Sequence, residues 1–125
     1  MSTAISIAIG VSCIPLSILG LRSLFRPEAM ARSMAIRPQG AAGLNTVRGV
    51  MGGLFLGCVL ALVMGLATAQ SIWFLPVALV MGAIAAGRVL GIVADGFDKA
   101  VLPPLMVEIV LATVFVLGYV NLGSP

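Results

Sequence analysis

The sequence predicts an all-α membrane protein, a polytopic four-helix bundle with a short interfacial helix in its first loop. Of the 125 residues, 61% are hydrophobic and only 9% are charged, whereas a soluble domain carries roughly 25% charged residues. The apolar residues form four runs of about the 20 residues that a helix needs to cross hydrocarbon. These runs lack the alternation of a membrane β-barrel, and an open sheet would leave backbone groups unsatisfied in lipid.

The four predicted spans cover about residues 2–21, 44–69, 72–94 and 101–122. They use most of the chain, so we expect residues 1–125 to form a single transmembrane domain. No Lys or Arg precedes Arg22 in the first run. A cleaved signal peptide begins with basic residues, and we therefore expect the first run to be a retained span.

The loop between the first two spans contains its own helix signals. Pro27 suits the first turn of a helix, and Glu28 suits its positive end. Pro38 ends the segment. We predict a short helix from about Pro27 to Ile36 on the inner membrane face, with Phe25, Met30 and Met34 facing lipid. A solvated basic connector is the alternative.

The same loop sets the expected orientation, because its basic residues lie on one side of the membrane. With four spans, both termini and the turn at residues 70–71 share the other side, which has no Lys or Arg. The positive-inside rule then places the loop in the cytoplasm. We expect a multi-pass protein of the bacterial inner membrane with both termini periplasmic. The basic loop residues are Arg22, Arg26, Arg32 and Arg37.

Three charged residues fall inside the predicted spans at similar depth. Arg48 lies early in the second span, and Glu108 lies early in the fourth. Arg88 lies seven residues before Asp95, near the end of the third span. A rise of 1.5 Å per residue puts the three roughly 6–10 Å inside the cytoplasmic boundary. Asp95 lies at the rim of this layer, and Asn45 is placed to join it as a neutral partner.

A charge near mid-membrane costs about 2.5–3.5 kcal/mol on insertion scales. Pairing in the bundle interior would remove most of that cost, because a guanidinium can hold a carboxylate with two hydrogen bonds. The sequence therefore predicts a buried network of two arginines and two acids. One interpretation is a site that binds an anionic headgroup or passes protons. The others are a structural clamp that fixes helix register, and arginines that snorkel without partners.

Glycines recur every four residues on the second and third spans. Small residues at this spacing let helices approach closely in lipid, so we expect these glycines to pack helices within the chain. The alternative is a face that meets another protein chain or a flat ligand. The glycines are Gly49, Gly53, Gly57, Gly87 and Gly91.

Several kinds of site are missing from the sequence. It has no histidine, which removes the commonest metal ligand and the commonest acid–base catalyst near neutral pH. It has no phosphate loop and no Cys-x-x-Cys pair. We therefore expect no metal and no cofactor, and we assign no catalytic residue. Nucleic acid is not an expected partner, because the arginines adjoin the membrane.

Two blocks of sequence resemble a known family. The first is Asn45-Thr-Val-Arg48-Gly49-Val-Met-Gly52-Gly53, and the second is Gly87-Arg88-Val-Leu-Gly91-Ile-Val-Ala-Asp95-Gly96, followed by Glu108. They look like the signatures of small four-helix bacterial membrane proteins known as a domain of unknown function, a family distantly similar to DoxX-like membrane proteins. The resemblance covers about residues 45–119. It implies the four-helix bundle and marks Arg48, Arg88, Asp95 and Glu108 as the family's polar set, without implying a reaction or a substrate.

These observations favour a non-enzymatic function. We expect the protein to bind a small amphiphilic or lipid-like ligand, with transport left open. Arg48 and Arg88 would hold the anionic end, while Asp95 and Glu108 orient the arginines. The alternative is a structural or accessory subunit, whose partner is another membrane protein or a second copy of the chain. A membrane enzyme using Glu108 as acid or base is a weaker hypothesis, because a lone carboxylate seldom suffices.

Overall fold

The structure, a computed structural model, describes residues 2–122 and is all-α as predicted, with no strand among them. A π-helical turn, Val47–Met51, joins the helical segments Gly40–Thr46 and Gly52–Thr68, and short 3-10 turns precede the last two α-helices. The α-helices are α1 (Thr3–Phe25), α2 (Pro27–Ser33), α3 (Gly40–Thr46), α4 (Gly52–Thr68), α5 (Phe74–Asp95) and α6 (Leu102–Leu122).

Four helical segments are long and apolar enough to cross a membrane: Thr3–Phe25, Gly40–Thr68, Ser71–Asp95 and Lys99–Asn121. The four predicted spans are therefore confirmed, and their ends differ from the prediction by at most four residues. The second segment begins earlier than predicted because α3 and the π turn run directly into α4.

Contacts within the chain define two compact units. One joins the chain up to Ile9 with the chain from Met64 onward, and the other is Gly10–Val63. Both α1 and α4 contribute residues to both units. The expectation of a single domain stays a prediction.

In the unit that holds α5 and α6, the ring of Phe74 is the centre of the packing. Phe74 is fully buried. A Cβ at Gly65 would lie 2.5 Å from its ring, and one at Gly118 would lie 3.1 Å from it. A Cβ at Gly118 would also lie 2.7 Å from Ile9. Two glycines on different helices therefore make room for one large aromatic side chain.

In the unit Gly10–Val63, α1 and α4 approach closely at two other glycines. A Cβ at Gly20 would lie 2.7 Å from Leu56, and one at Gly52 would lie 2.9 Å from Leu24. Because glycine has no side chain, the two backbones can approach each other closely. The helices therefore pack through a crossing of small residues near the C-terminal end of α1.

The glycines predicted to pack helices within the chain are not the ones that do so. At the first four of them a Cβ would meet no atom within 4 Å in the described residues, and at the fifth it would touch only the Asp95 side chain at 4.0 Å. Their spacing does put them on shared helix faces, but those faces meet no neighbouring helix there. The residues concerned are Gly49, Gly53, Gly57, Gly87 and Gly91.

The predicted interfacial helix forms, but it ends at Ser33 rather than near Ile36. Ala35 adopts a left-handed conformation with φ 58°, and the Ile36 amide donates to the Ala31 carbonyl at 2.9 Å. This pattern is a Schellman motif, which terminates a helix. The expectation that Met30 faces lipid was wrong, because Met30 is buried on the side of α2 that packs against the protein.

The packing around Phe74 predicts the effect of replacing Gly65. Gly65→Ala should lower the free energy of unfolding by about 1–3 kcal/mol, since the added methyl overpacks a ring that has no room to retreat. Gly82→Ala is the matched control, because a Cβ there meets open space. Thermal unfolding of the purified protein in detergent measures both. Equal melting temperatures for the two variants would contradict this packing.

Candidate functional site

Arg88 and Glu108 form an ion pair between α5 and α6. The Arg88 Nε–H group donates to both carboxylate oxygens of Glu108, at 2.8 Å each. The Glu108 side chain is 12% exposed and that of Arg88 is 30% exposed. Of the four residues predicted to form one network, these two are brought together.

The pair lies within two candidate spans. Arg88 is seven residues from the end of α5, and Glu108 is six residues from the start of α6. At 1.5 Å per residue both lie about 9–10 Å from the ends of their helices. A single charge at such a depth is costly in hydrocarbon, so mutual neutralisation explains why both residues are tolerated.

Arg48 has a different partner. Its Nη1 donates a hydrogen bond to the backbone carbonyl of Leu24, the second-last residue of α1. The last four carbonyls of a helix lack intrahelical donors and carry partial negative charge. Arg48 therefore caps the C-terminal end of α1. Its position in the π turn Val47–Met51, which the sequence did not predict, aims it at that end.

The remaining members of the predicted network lie apart from any charged partner. Asp95 and Asn45 are exposed, and neither side chain makes an ion pair or a hydrogen bond within residues 2–122. No buried charged network is present in that part of the chain. The prediction put the charges in one network, whereas Arg48 and Arg88 have separate partners in α1 and α6.

A different group of arginines surrounds an open cavity in the unit Gly10–Val63. Its volume is about 430 Å³, and Glu28, Arg32, Arg37 and Leu44 are among the residues that line it. Two glycines determine the backbone path along one wall of this cavity. Gly40 has φ +59°, and a Cβ at Gly43 would lie 2.9 Å from the Pro38 backbone. Glycine at both positions lets α3 begin close against the preceding chain.

A second open cavity of about 340 Å³ adjoins the first. Arg26, Arg32 and Arg48 line it together with Glu28 and Leu44. We call the two cavities together the arginine groove, and its defining residues are Arg26, Glu28, Arg32, Arg37, Leu44 and Arg48.

The arginine groove has an excess of positive charge. Four arginines and one glutamate define it. The ion pair within the described residues is the one between Arg88 and Glu108, so no arginine of the groove is paired with a carboxylate there. Guanidinium groups bind phosphate and carboxylate through paired hydrogen bonds. Chemically, the groove suits an anion.

The sequence analysis singled out every arginine of the groove, but it did not predict that they line the same pair of cavities. Arg26, Arg32 and Arg37 were predicted only as part of a basic cytoplasmic loop, and Arg48 was assigned to the buried network. In the structure Arg48, which lies in the π turn, lines the second cavity together with Arg26 and Arg32 of the loop. Among the described residues no three Cys, Asp or Glu side chains lie together in a way that would hold a metal ion.

Comparison with protein families identifies the chain's relatives. Residues 4–119 match the family described as a domain of unknown function (DUF4345). The chain belongs to this family. No curated protein and no solved structure matches the chain. Membership in DUF4345 confirms the family resemblance, and the more distant similarity to DoxX-like proteins stays a prediction.

The ion pair predicts a non-additive double mutant. Arg88→Met leaves a largely buried carboxylate without its partner and should lower the free energy of unfolding by about 3 kcal/mol, as breaking a buried pair does. Adding Glu108→Leu should restore most of that loss, since apolar residues of similar volume then replace both charges. Chemical unfolding in detergent measures the cycle. Losses that simply add would show that the two side chains do not depend on each other.

Proposed function

We propose that this protein is a membrane protein that binds a small amphiphilic or lipid-like ligand with an anionic headgroup in the arginine groove. The observation that carries the proposal is two adjoining cavities that are lined together by four arginines and one acid, none of those arginines being paired with a carboxylate in residues 2–122. The site differs from the one expected from sequence, because Arg88 is neutralised by Glu108 and Arg48 belongs to the groove.

The position of the groove supports a ligand that is partly apolar. It lies where the candidate span Thr3–Phe25 ends and the candidate span Gly40–Thr68 begins. Leu44 lines both cavities, and Phe25 at the rim is 74% exposed. An amphiphile would therefore find arginines for its headgroup and an apolar path for its tail toward the hydrocarbon.

The volumes support a headgroup rather than a single small ion. Each cavity, at about 430 and 340 Å³, falls within the range of roughly 300–1,000 Å³ that is typical of small-molecule sites.

Arg32 provides the direct test of this proposal, because it lines both cavities. Arg32→Gln should reduce the amount of co-purifying anionic lipid about fivefold, since one basic residue near a membrane surface contributes about 1 kcal/mol. Mass spectrometry of protein purified in mild detergent measures the lipid. Arg22→Gln is the matched control, because it removes the same charge from the C-terminal end of α1, ten residues earlier, without lining either cavity. Equal losses in the two variants would overturn the proposal.

We also propose that the arginine groove faces the cytoplasm of a bacterial inner membrane, with both termini periplasmic. The support is the concentration of Arg26, Arg32 and Arg37 between the first two candidate spans, with Arg22 in the last turn of the first. The described residues of the opposite side carry no Lys or Arg, and loops rich in these residues stay in the cytoplasm.

Reporter fusions test this orientation. Alkaline phosphatase fused after residue 125 should be active, and a green fluorescent protein fused there should stay dark, because the former folds in the periplasm and the latter in the cytoplasm. The same reporters inserted at Gln39 should give the reverse pattern. Fluorescence of the C-terminal fusion would contradict the proposed orientation.

A second candidate function is an accessory subunit of a larger membrane complex. The observation that favours it is the face formed by Gly49 of the π turn and by Gly53 and Gly57 of α4, where a Cβ would meet no atom of the described residues within 4 Å. In this case the Arg88–Glu108 pair is only a packing clamp. Co-purification of a membrane protein or of a second copy, lost on Gly53→Leu but retained on Arg32→Gln, would favour the subunit over the ligand binder.

A further inference from the structure

We propose that the ligand of the arginine groove is a lipid carrying two phosphate groups, with one phosphate in each cavity. This inference rests on the proposed function, because it names the chemical class that the same groove would take. It follows from how the basic residues are divided between the two cavities.

The cavities adjoin because they share residues. Arg32, Glu28 and Leu44 line both of them. A guanidinium has five N–H donors in a planar fork, so Arg32 can donate to acceptors on both sides at once. Glu28, between the same two spaces, would repel a phosphate placed at the boundary. Two anionic groups held apart, one to each side, fit this arrangement better than one central anion.

Each cavity also has basic residues of its own. Arg37 lines only the first cavity, whereas Arg26 and Arg48 line only the second. The second cavity is therefore the more basic, and a ligand with one phosphate should occupy it. The first cavity then provides Arg37 for a second phosphate. The four arginines outnumber the one glutamate by three positive charges, which is enough to balance a ligand with two negative charges.

The ligand should be a lipid rather than a soluble anion. The groove lies where candidate spans end and begin, and Leu44, which lines both cavities, belongs to the span Gly40–Thr68. Basic pockets between transmembrane helices are known to bind headgroups with several phosphates, cardiolipin among them. A lipid already present in the bilayer reaches such a pocket without losing the burial of its acyl chains.

Lipid competition tests the inference on the full chain purified in detergent. Native mass spectrometry would follow the binding of dioleoyl phosphatidylglycerol, which has one phosphate, and of tetraoleoyl cardiolipin, which has two. Inorganic pyrophosphate serves as the soluble probe. We expect cardiolipin to bind at least about fivefold more tightly than phosphatidylglycerol, since one further basic residue engages it, and pyrophosphate to bind more weakly than either lipid.

The division of arginines allows a sharper test than overall affinity, since any basic surface prefers the more highly charged lipid. Arg37→Gln should reduce cardiolipin binding to the level of phosphatidylglycerol and leave phosphatidylglycerol binding unchanged. Arg26→Gln should weaken both lipids. Arg22→Gln, which removes the same charge outside the cavities, should preserve the cardiolipin preference. Melting temperatures of the variants establish that each is folded.

The outcomes separate this inference from the proposed function. If both lipids bind in an Arg32-dependent way but with equal affinity, or if Arg22→Gln abolishes the preference as fully as Arg37→Gln, the two-phosphate inference is overturned and the anionic-ligand proposal stands. If pyrophosphate binds as tightly as cardiolipin, the ligand is not a lipid. If neither lipid shows Arg32-dependent binding, both proposals fail.

Discussion

Hydrocarbon offers no hydrogen bonds, so every polar group within a span must find its partner in the protein. This constraint explains most of the local structure. The fully buried Ser23 hydroxyl donates to the Leu19 carbonyl at 2.8 Å, and Thr68 and Thr113 donate to carbonyls four residues earlier in their own helices. Within the described residues no buried side-chain nitrogen or oxygen lacks a partner. Helices provide hydrogen-bond partners for the backbone groups, and the short polar side chains donate hydrogen bonds to backbone carbonyls of their own helix.

Two arginines answer the same constraint in different ways. Arg88 is neutralised by Glu108, and this ties α5 to α6. Arg48 instead donates to the Leu24 carbonyl at the C-terminal end of α1, where a helix dipole supplies only part of a negative charge. The first arrangement uses up the charge of the arginine, whereas the second leaves most of it available. This difference is why we assign the proposed anion site to Arg48 and not to Arg88.

Hydropathy was enough to predict the four spans, because a run of about 20 apolar residues has few alternatives to a membrane helix. Depth along the helix was enough to bring Arg88 and Glu108 to the same level. The spacing of the glycines along a helix could not predict which neighbouring helix each face contacts. Gly53 and Gly57 have the spacing of a packing face but meet open space, while the crossing of α1 and α4 uses Gly20 and Gly52.

The arginine groove was beyond prediction for a related reason. A π turn changes the direction of side chains relative to a regular α-helix. The residue types of Val47–Met51 do not predict such a turn. The left-handed conformation of Ala35 could not be predicted either, since glycine is the residue usually found at that position after a helix. Sequence patterns describe regular elements well, and the groove is built from the irregular turns between them.

The bond from Arg48 to Leu24 has a consequence for molecular recognition. A free arginine side chain samples many rotamers, and fixing one opposes binding by up to about 2 kcal/mol of lost entropy. Folding has already selected the rotamer of Arg48, and one of its five donors suffices to hold it there. An anion bound in the groove, as we propose, would meet the preorganised guanidinium of Arg48 beside other arginines that are free to adapt, so that one small surface would combine rigidity with tolerance.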